Sequence, residues 1–328
     1  MTEPDDDFSR EELERVILGQ VPALTSSEVA DAAGVTIEQA RRLWRALGFP
    51  DAGEQRAFTD ADLTALSTLF GAVQRGAIDF DTAVRLTRAV GRTMARLADW
   101  QVGTLVPRVE ELEQGEQATG SRIGSALRLA EQVGEPFEAL LIYSWRRHLA
   151  AAVGRIEALG AADEDLQATQ VTVGFADLVA FTALSNEIDE AHLGDLVEIF
   201  ESRCADVVAA RHGRVIKTLG DSVLFVSEDP SRAMEIALSI IEVIGRDARL
   251  PDVRIGLATG SVVTRLGDVF GPAVNMAARL TGLARRNRVI ADAATAELLP
   301  PDRYDARPLP ARPLRGFGVV EPVAVRRH

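Results

Sequence analysis

The chain has 328 residues, enough for two domains that each bury a core. Hydrophobic residues make up 47%, as in folded proteins, and the formal charge of −13 argues against nucleic acid as the main partner, because phosphate neutralisation needs clustered Lys and Arg. A single cysteine, Cys204, excludes an intramolecular disulfide and argues against a thiolate zinc site. It falls in an apolar helical row with Leu193, Leu196, Phe200 and Val207, so a buried thiol is expected. The first residues, Met-Thr-Glu-Pro-Asp-Asp-Asp, are acidic and no apolar stretch follows, so no secretory signal is expected. No apolar run approaches the ~18 residues that span a bilayer. A soluble, cytoplasmic chain with no membrane partner is the expectation.

Residues 1–160 read as helices throughout. Thr59 and Asp62 have capping-box spacing and open a stretch with Leu63, Leu66, Phe70 and Val73 on one stripe. The next segment repeats the pattern with Val84, Leu86, Val90, Met94 and Leu97. Arg85, Arg88, Arg92 and Arg96 decorate its other side, as expected of a solvated face paired with nearby acids. Residues 115–120 mark a break, and Pro136 is expected to begin a last helix through Leu140, Tyr143, Trp145 and Leu149 to about residue 159. Within this half, residues 25–50 read as helix, Gly34 turn, helix. That segment, with Phe58-Thr-Asp-Ala-Asp-Leu63 after it, resembles the winged helix-turn-helix start of bacterial transcription regulators. A DNA reader would aim Thr36, Ile37, Glu38 and Gln39 at base edges, with Arg41, Arg42 and Arg45 behind. Glu38 at the tip and the acidic chain favour a protein-contact module.

Residues 161–170 are small, acidic and uncapped, which suits a linker. Beyond them Val171, Val173 and Phe175 alternate as in a strand. A helix is expected over 189–211, a hairpin over 214–219 and 222–227 with Gly220-Asp221 at its turn, a helix over 232–245, a strand over 253–259 and a helix over 272–283. Strand, helix, hairpin, helix, strand is the order of a ferredoxin-like α+β sandwich.

Three segments of this half place polar groups where a sheet meets a ligand: Phe175-Ala-Asp-Leu-Val-Ala-Phe-Thr182, Lys217-Thr-Leu-Gly-Asp221 and Gly267-Asp-Val-Phe-Gly-Pro-Ala-Val-Asn-Met-Ala-Ala-Arg279. Asp177 ends an apolar strand, and Asp221 sits in the turn of a hairpin expected beside it. Two carboxylates brought together repel unless a cation lies between them, and hard oxygen ligands suit Mg²⁺ or Mn²⁺. Backbone N–H groups around 179–182 could cradle a polyphosphate.

On these segments, residues from 171 to about 327 resemble the catalytic domain of class III adenylyl cyclases. The resemblance implies metal-binding roles for Asp177 and Asp221, adenine selection by Lys217 and Asp268, and transition-state roles for Asn275 and Arg279. Lys and Asp at the base-selecting positions imply ATP over GTP, because guanine-selective members usually carry Glu and Cys there. Arg265 and Arg315 fall near the family's phosphate-binding bases, and Arg315 opens an Arg-Gly-Phe-Gly segment like the family's closing motif. Two Mg²⁺ or Mn²⁺ ions per site are implied. So is a homodimer, since the family draws its metal aspartates from one subunit and the base, Asn and Arg groups from the other.

The expected organisation is therefore an all-helical regulatory domain (1–160), a linker (161–170) and an α+β catalytic domain (171–328). The helical half resembles the regulatory domain of some soluble bacterial class III cyclases, a group that includes autoinhibited, pH-responsive enzymes. His148 is a candidate proton sensor there, with His192 and His212 in the catalytic half, and an apolar ligand is the other candidate stimulus. The competing reading is a helix-turn-helix transcription regulator with a cyclase-like nucleotide-sensing domain. A diguanylate cyclase fits poorly, since no Gly-Gly-Asp/Glu-Glu-Phe turn occurs.

Overall fold

The computed structural model describes residues 10–116, 118–158, 168–265 and 267–328, in two compact units, Met1–Ala158 and Leu159–His328. The first holds α1 (Arg10–Leu18), α2 (Ser26–Ala32), α3 (Ile37–Leu47), α4 (Asp60–Gln74), α5 (Phe80–Gln114) and α6 (Arg122–Ala158). Capping boxes open α2 (Thr25 with Glu28) and α3 (Thr36 with Gln39). At α4 the predicted pair is joined: Thr59 donates its backbone N–H (2.7 Å) and its hydroxyl (2.8 Å) to Asp62 Oδ2. Val29, Leu43, Trp44, Phe58, Leu66 and Phe70 form the core, with Trp44 and Phe58 rings 4.4 Å apart.

Three expectations for the helical half change. The buried face of α5 runs through Ala83, Val84, Thr87 and Gly91, while Leu86, Val90 and Met94 are 54, 53 and 43% exposed. Gly91 explains the rotation, because a Cβ there would lie 2.3 Å from the Leu47 carbonyl oxygen. The backbones of α5 and α3 touch where a side chain was expected to pack. Pro136 does not begin a helix but lies inside α6. Buried Ser125, Leu127 and Leu129 anchor the turns ahead of it, and that packing outweighs the hydrogen bond that proline removes. The arginine ladder is solvated as expected, but Arg88, Arg92 and Arg96 form no ion pair among the described residues; Arg85 donates to the Thr82 hydroxyl.

The second unit holds β1 (Ala168–Leu178), α7 (Phe181–Leu184), α8 (Glu190–Ala210), β2 (Arg214–Leu219), β3 (Ser222–Ser227), α9 (Pro230–Gly245), β4 (Val253–Arg265), β5 (Asp268–Phe270), α10 (Pro272–Leu283), β6 (Val289–Ala291), α11 (Ala293–Glu297), β7 (Tyr304–Pro308), β8 (Arg312–Leu314), β9 (Gly318–Val320) and β10 (Val323–Arg327). The expected hairpin and the helix over 272–283 fall on β2, β3 and α10. The main sheet runs β2-β3-β1-β4-β6-β10-β7, with β5 on β4, and β8-β9 is a separate ribbon. Its β1-α8-β2-β3-α9-β4 portion is the ferredoxin-like core, extended by β6, β10 and β7.

Two boundaries move. β1 begins at Ala168, inside the segment read as linker, and β4 continues to Arg265, past 259. The extra residues pair with each other, Ala168 with Val263 and Gln170 with Ser261, so backbone pairing makes strand where the side chains show no apolar alternation. Residues 161–167 of the expected linker lie outside the described residues.

Both sheet faces are covered. Ala176, Leu178, Val223, Phe225, Ile255 and Leu257 pack under α8 and α9 with Phe200, Met234, Ile236 and Ile240. Cys204 lies in this core, 0% exposed, and burial pushes its thiol pKa well up, as expected of an inert core residue. On the opposite face Val171, Val173, Leu224, Val226, Ala258 and Val262 meet Ala273 and Ala277 of α10. Gly256 lets α10 close down on β4, since a Cβ there would sit 2.3 Å from the Thr281 backbone nitrogen.

Candidate active site

Side chains alternate along a strand, so Asp177 shares the α10 face of the sheet with Val171 and Val173. Register then fixes its neighbours: Asp177 stands opposite Ser222 of β3 on one side and Arg254 of β4 on the other. The three side chains form one cross-strand row. Ser222 Oγ donates to Asp177 Oδ1 at 2.5 Å, and Arg254 Nε donates to Oδ2 at 2.7 Å. Arg254 Nη2 lies 2.6 Å from the same oxygen.

Asp221 occupies the β2–β3 turn, where Gly220 has φ of 63°, and its carbonyl accepts the Leu178 N–H at 3.0 Å. That bond ties the hairpin turn to the end of β1. Burial, and then the negative charge of Asp177, push the Asp221 carboxyl above its ordinary range, while its own backbone N–H and Arg254 oppose the rise. The expected juxtaposition of the two carboxylates is therefore present. Among the described residues no group of three or more His, Cys, Asp or Glu could hold a metal ion. Two carboxylates suit Mg²⁺ or Mn²⁺, which take few protein oxygens and complete their shell with water and substrate phosphates.

Lys217, also on the α10 side through its pairing with Leu224, donates from Nζ to Asp268 Oδ2 at 2.6 Å. Asp268 Oδ1 accepts the Val269 N–H at 2.8 Å, which fixes the carboxylate at the start of β5. Both partners are about one-third exposed, at 34 and 28%, so the pair is reachable from solvent.

Asn275 and Arg279 stand one turn apart on the exposed side of α10, opposite buried Ala273, Ala277 and Leu280. They line an open cleft of about 520 Å³ with Gly271, Pro272, Arg315, Gly316 and Phe317. The chain thus brings Arg315 to Asn275 and Arg279. Arg265 is exposed on the β4–β5 hairpin, opposite Asp268 in the register and outside this cleft. The predicted residues form three groups: the Asp177/Asp221 carboxylates, the Lys217–Asp268 pair, and the cleft of Asn275, Arg279 and Arg315.

Sequence reasoning missed Arg254 and Ser222. Arg254 had a readable signal, a lone charge within the apolar run Val253-Arg-Ile-Gly-Leu257; Ser222 had none, because only the register puts it against Asp177.

Comparison with known proteins supplies the family. The adenylate and guanylate cyclase catalytic domain model matches residues 164–323. An adenylate cyclase of Streptomyces coelicolor is 40% identical over 99% of this chain and 92% of its own length. An adenylate cyclase of Glutamicibacter nicotianae is 40% identical over 94% of this chain and 80% of its own. A pH-sensitive adenylate cyclase of Mycobacterium tuberculosis is 30% identical over 84% and 70%. With its all-helical first half and its mixed α/β second half, the chain belongs to the class III adenylate cyclases.

Proposed function

We propose that the protein converts ATP to 3′,5′-cyclic AMP and pyrophosphate at sites shared between two copies of the chain, under control of its helical unit. The observation that carries this reading is the Lys217–Asp268 pair, held at 2.6 Å and open to solvent. Lys217 donates to adenine N1 and Asp268 accepts from the exocyclic N6 amino group. Guanine presents a donor at N1 and an acceptor at C6, so both contacts fail.

Asp177 and Asp221 would hold two Mg²⁺ or Mn²⁺ ions per site, which would supply activation of the ribose 3′-oxygen and neutralisation of phosphate charge. Asn275 orients the ribose. Arg279, on the same helix face, meets the charge that grows on the α-phosphate. Arg315, in the same cleft, and Arg265, on the adjoining hairpin, bind the triphosphate. The grouping within one chain supports a homodimer: Asp177 is engaged by Ser222 and Arg254, while Asn275 and Arg279 face a separate cleft. Each site then joins the carboxylates of one copy to the base-selecting pair and the cleft of the other.

Two observations support control by the helical unit. An apolar groove of about 440 Å³, floored by Leu43, Trp44, Leu66 and Thr87 and rimmed by Leu86 and Val90, could seat an apolar effector. His148 is exposed on α6, the last helix of this unit. The test is cyclic AMP formation by the purified full chain with ATP and Mn²⁺ or Mg²⁺, followed from about pH 5.5 to 8 in wild type and His148→Ala. Product from ATP supports the enzyme reading; no product sinks it. An unchanged pH profile in His148→Ala removes that residue as the sensor.

A further inference from the structure

We propose that Arg254 is a displaceable counter-ion that sets the divalent-ion affinity of the Asp177/Asp221 pair, holding Asp177 Oδ2 until the ion takes its place. The inference rests on the reading of these two carboxylates as metal ligands.

Three observations lead to it. Asp177 is engaged at both oxygens: Oδ1 accepts from Ser222 Oγ at 2.5 Å, while Oδ2 takes Arg254 Nε at 2.7 Å with Nη2 at 2.6 Å. Asp221 differs, for among the described residues no other side chain hydrogen-bonds to it or pairs with it, although it precedes Ser222, the cross-strand partner of Asp177. The guanidinium is also held by strand register. Asp177 and Arg254 are direct cross-strand partners, so Arg254 stays beside the carboxylate even when its head group turns away.

The consequence is competition. A divalent ion that comes to Oδ2 must take the place that Arg254 now fills, and one that comes to Oδ1 still meets the positive charge of Arg254 nearby. Asp177 is 14% exposed and Arg254 33%, so the pair is only partly screened by water and exchanging it carries a cost. In return Arg254 keeps two adjacent carboxylates from repelling each other in the metal-free protein. A neutral side chain at this position removes both effects at once, so metal binds more tightly while the metal-free protein loses stability.

The experiment uses the full chain without nucleotide. Mn²⁺ binding is measured by electron paramagnetic resonance for wild type, Arg254→Gln, Arg254→Lys and Asp221→Asn. Arg254→Gln is expected to bind Mn²⁺ about tenfold more tightly than wild type, and Arg254→Lys, which keeps the charge, to stay within about threefold. A second measurement needs no neutral variant: in ¹⁵N-labelled wild-type protein, the Arg254 Nε–H resonance, identified by its loss in Arg254→Lys, should move as Mg²⁺ is added. Unchanged or weaker Mn²⁺ binding in Arg254→Gln, with binding abolished in Asp221→Asn, overturns the counter-ion and leaves the metal site standing. An Nε–H resonance indifferent to Mg²⁺ that binds overturns it too. Mn²⁺ binding that survives Asp221→Asn, or none in any of the proteins, removes the metal reading itself and the inference with it.

Discussion

The two units spend their apolar residues in opposite ways. In the catalytic unit the large side chains are sealed between sheet and helices: Phe200, Phe225, Met234, Ile240 and Leu257 are all 0% exposed. In the helical unit the compact core ends near Phe70 and Val84, and the long helices carry apolar residues outward, with Trp100, Val106, Tyr143 and Trp145 all 48–62% exposed. Polar residues differ in the same sense. A charge within an apolar strand of the catalytic unit, such as Asp177 or Arg254, stands at the candidate site, whereas the buried polar residues of the helical unit, Ser26, Thr59, Thr87 and Ser125, are uncharged. What each unit lacks is complementary in kind: the catalytic unit divides its chemistry into separate groups, and the helical unit leaves apolar surface uncovered among its described residues.

The sharpest way to break this contrast is to remove one charged group from the catalytic unit. Asp221→Asn or Arg279→Ala should each lower cyclic AMP formation by ~10²–10³, read as kcat with ATP held saturating. Near-normal turnover in either would detach that residue from the chemistry. Exchanging the base-selecting pair, Lys217→Glu with Asp268→Cys, should move the ATP:GTP preference by about 10² toward GTP, because each base then leaves one of the two partner sets unpaired. A preference that does not move would mean that the 2.6 Å pair is only structural.

Stability should divide in the same way. Phe200→Ala, in the sealed core, should cost about 3–5 kcal/mol in denaturant unfolding. Met94→Ala, on the outward side of α5, should stay within about 0.5 kcal/mol. A large loss at Met94 would show that its face is covered in solution. The smallest effect is one of pH. The Asp221 carboxyl is held above its ordinary range, so folding gains from its neutral form below the unfolded carboxyl pKa and loses that gain as pH rises through the raised value. Metal-free Asp221→Asn should therefore melt higher than wild type at neutral pH while being the weaker enzyme.

Much of this was legible in the residues. The hairpin over 214–227 and the helix over 272–283 declare themselves by turn chemistry and by Gly-Pro at a helix start, and the structure has both. The closeness of Asp177 to Asp221 and of Lys217 to Asp268 followed from strand order and family resemblance. Features set by pairing between distant segments were not legible. The strand over Ala168–Gln170 exists because β4 runs on to meet it, and Ser222 reaches Asp177 only through register. The α5 stripe misled because helical periodicity identifies an apolar face without saying what covers it. Gly91, through its close approach to Leu47, selected a different face.

The most direct test of the shared site is to mix two crippled proteins. Asp221→Asn lacks one carboxylate and Arg279→Ala lacks the cleft arginine; each alone should be nearly inactive. Co-expressed with separable tags, they form mixed dimers in which one of two sites keeps every group, so the mixture should recover about a quarter of wild-type cyclic AMP formation. Recovery near that level confirms that ATP is cyclised between two copies. A mixture no more active than its parts, with mixed dimers demonstrated by tandem purification, would contradict the account.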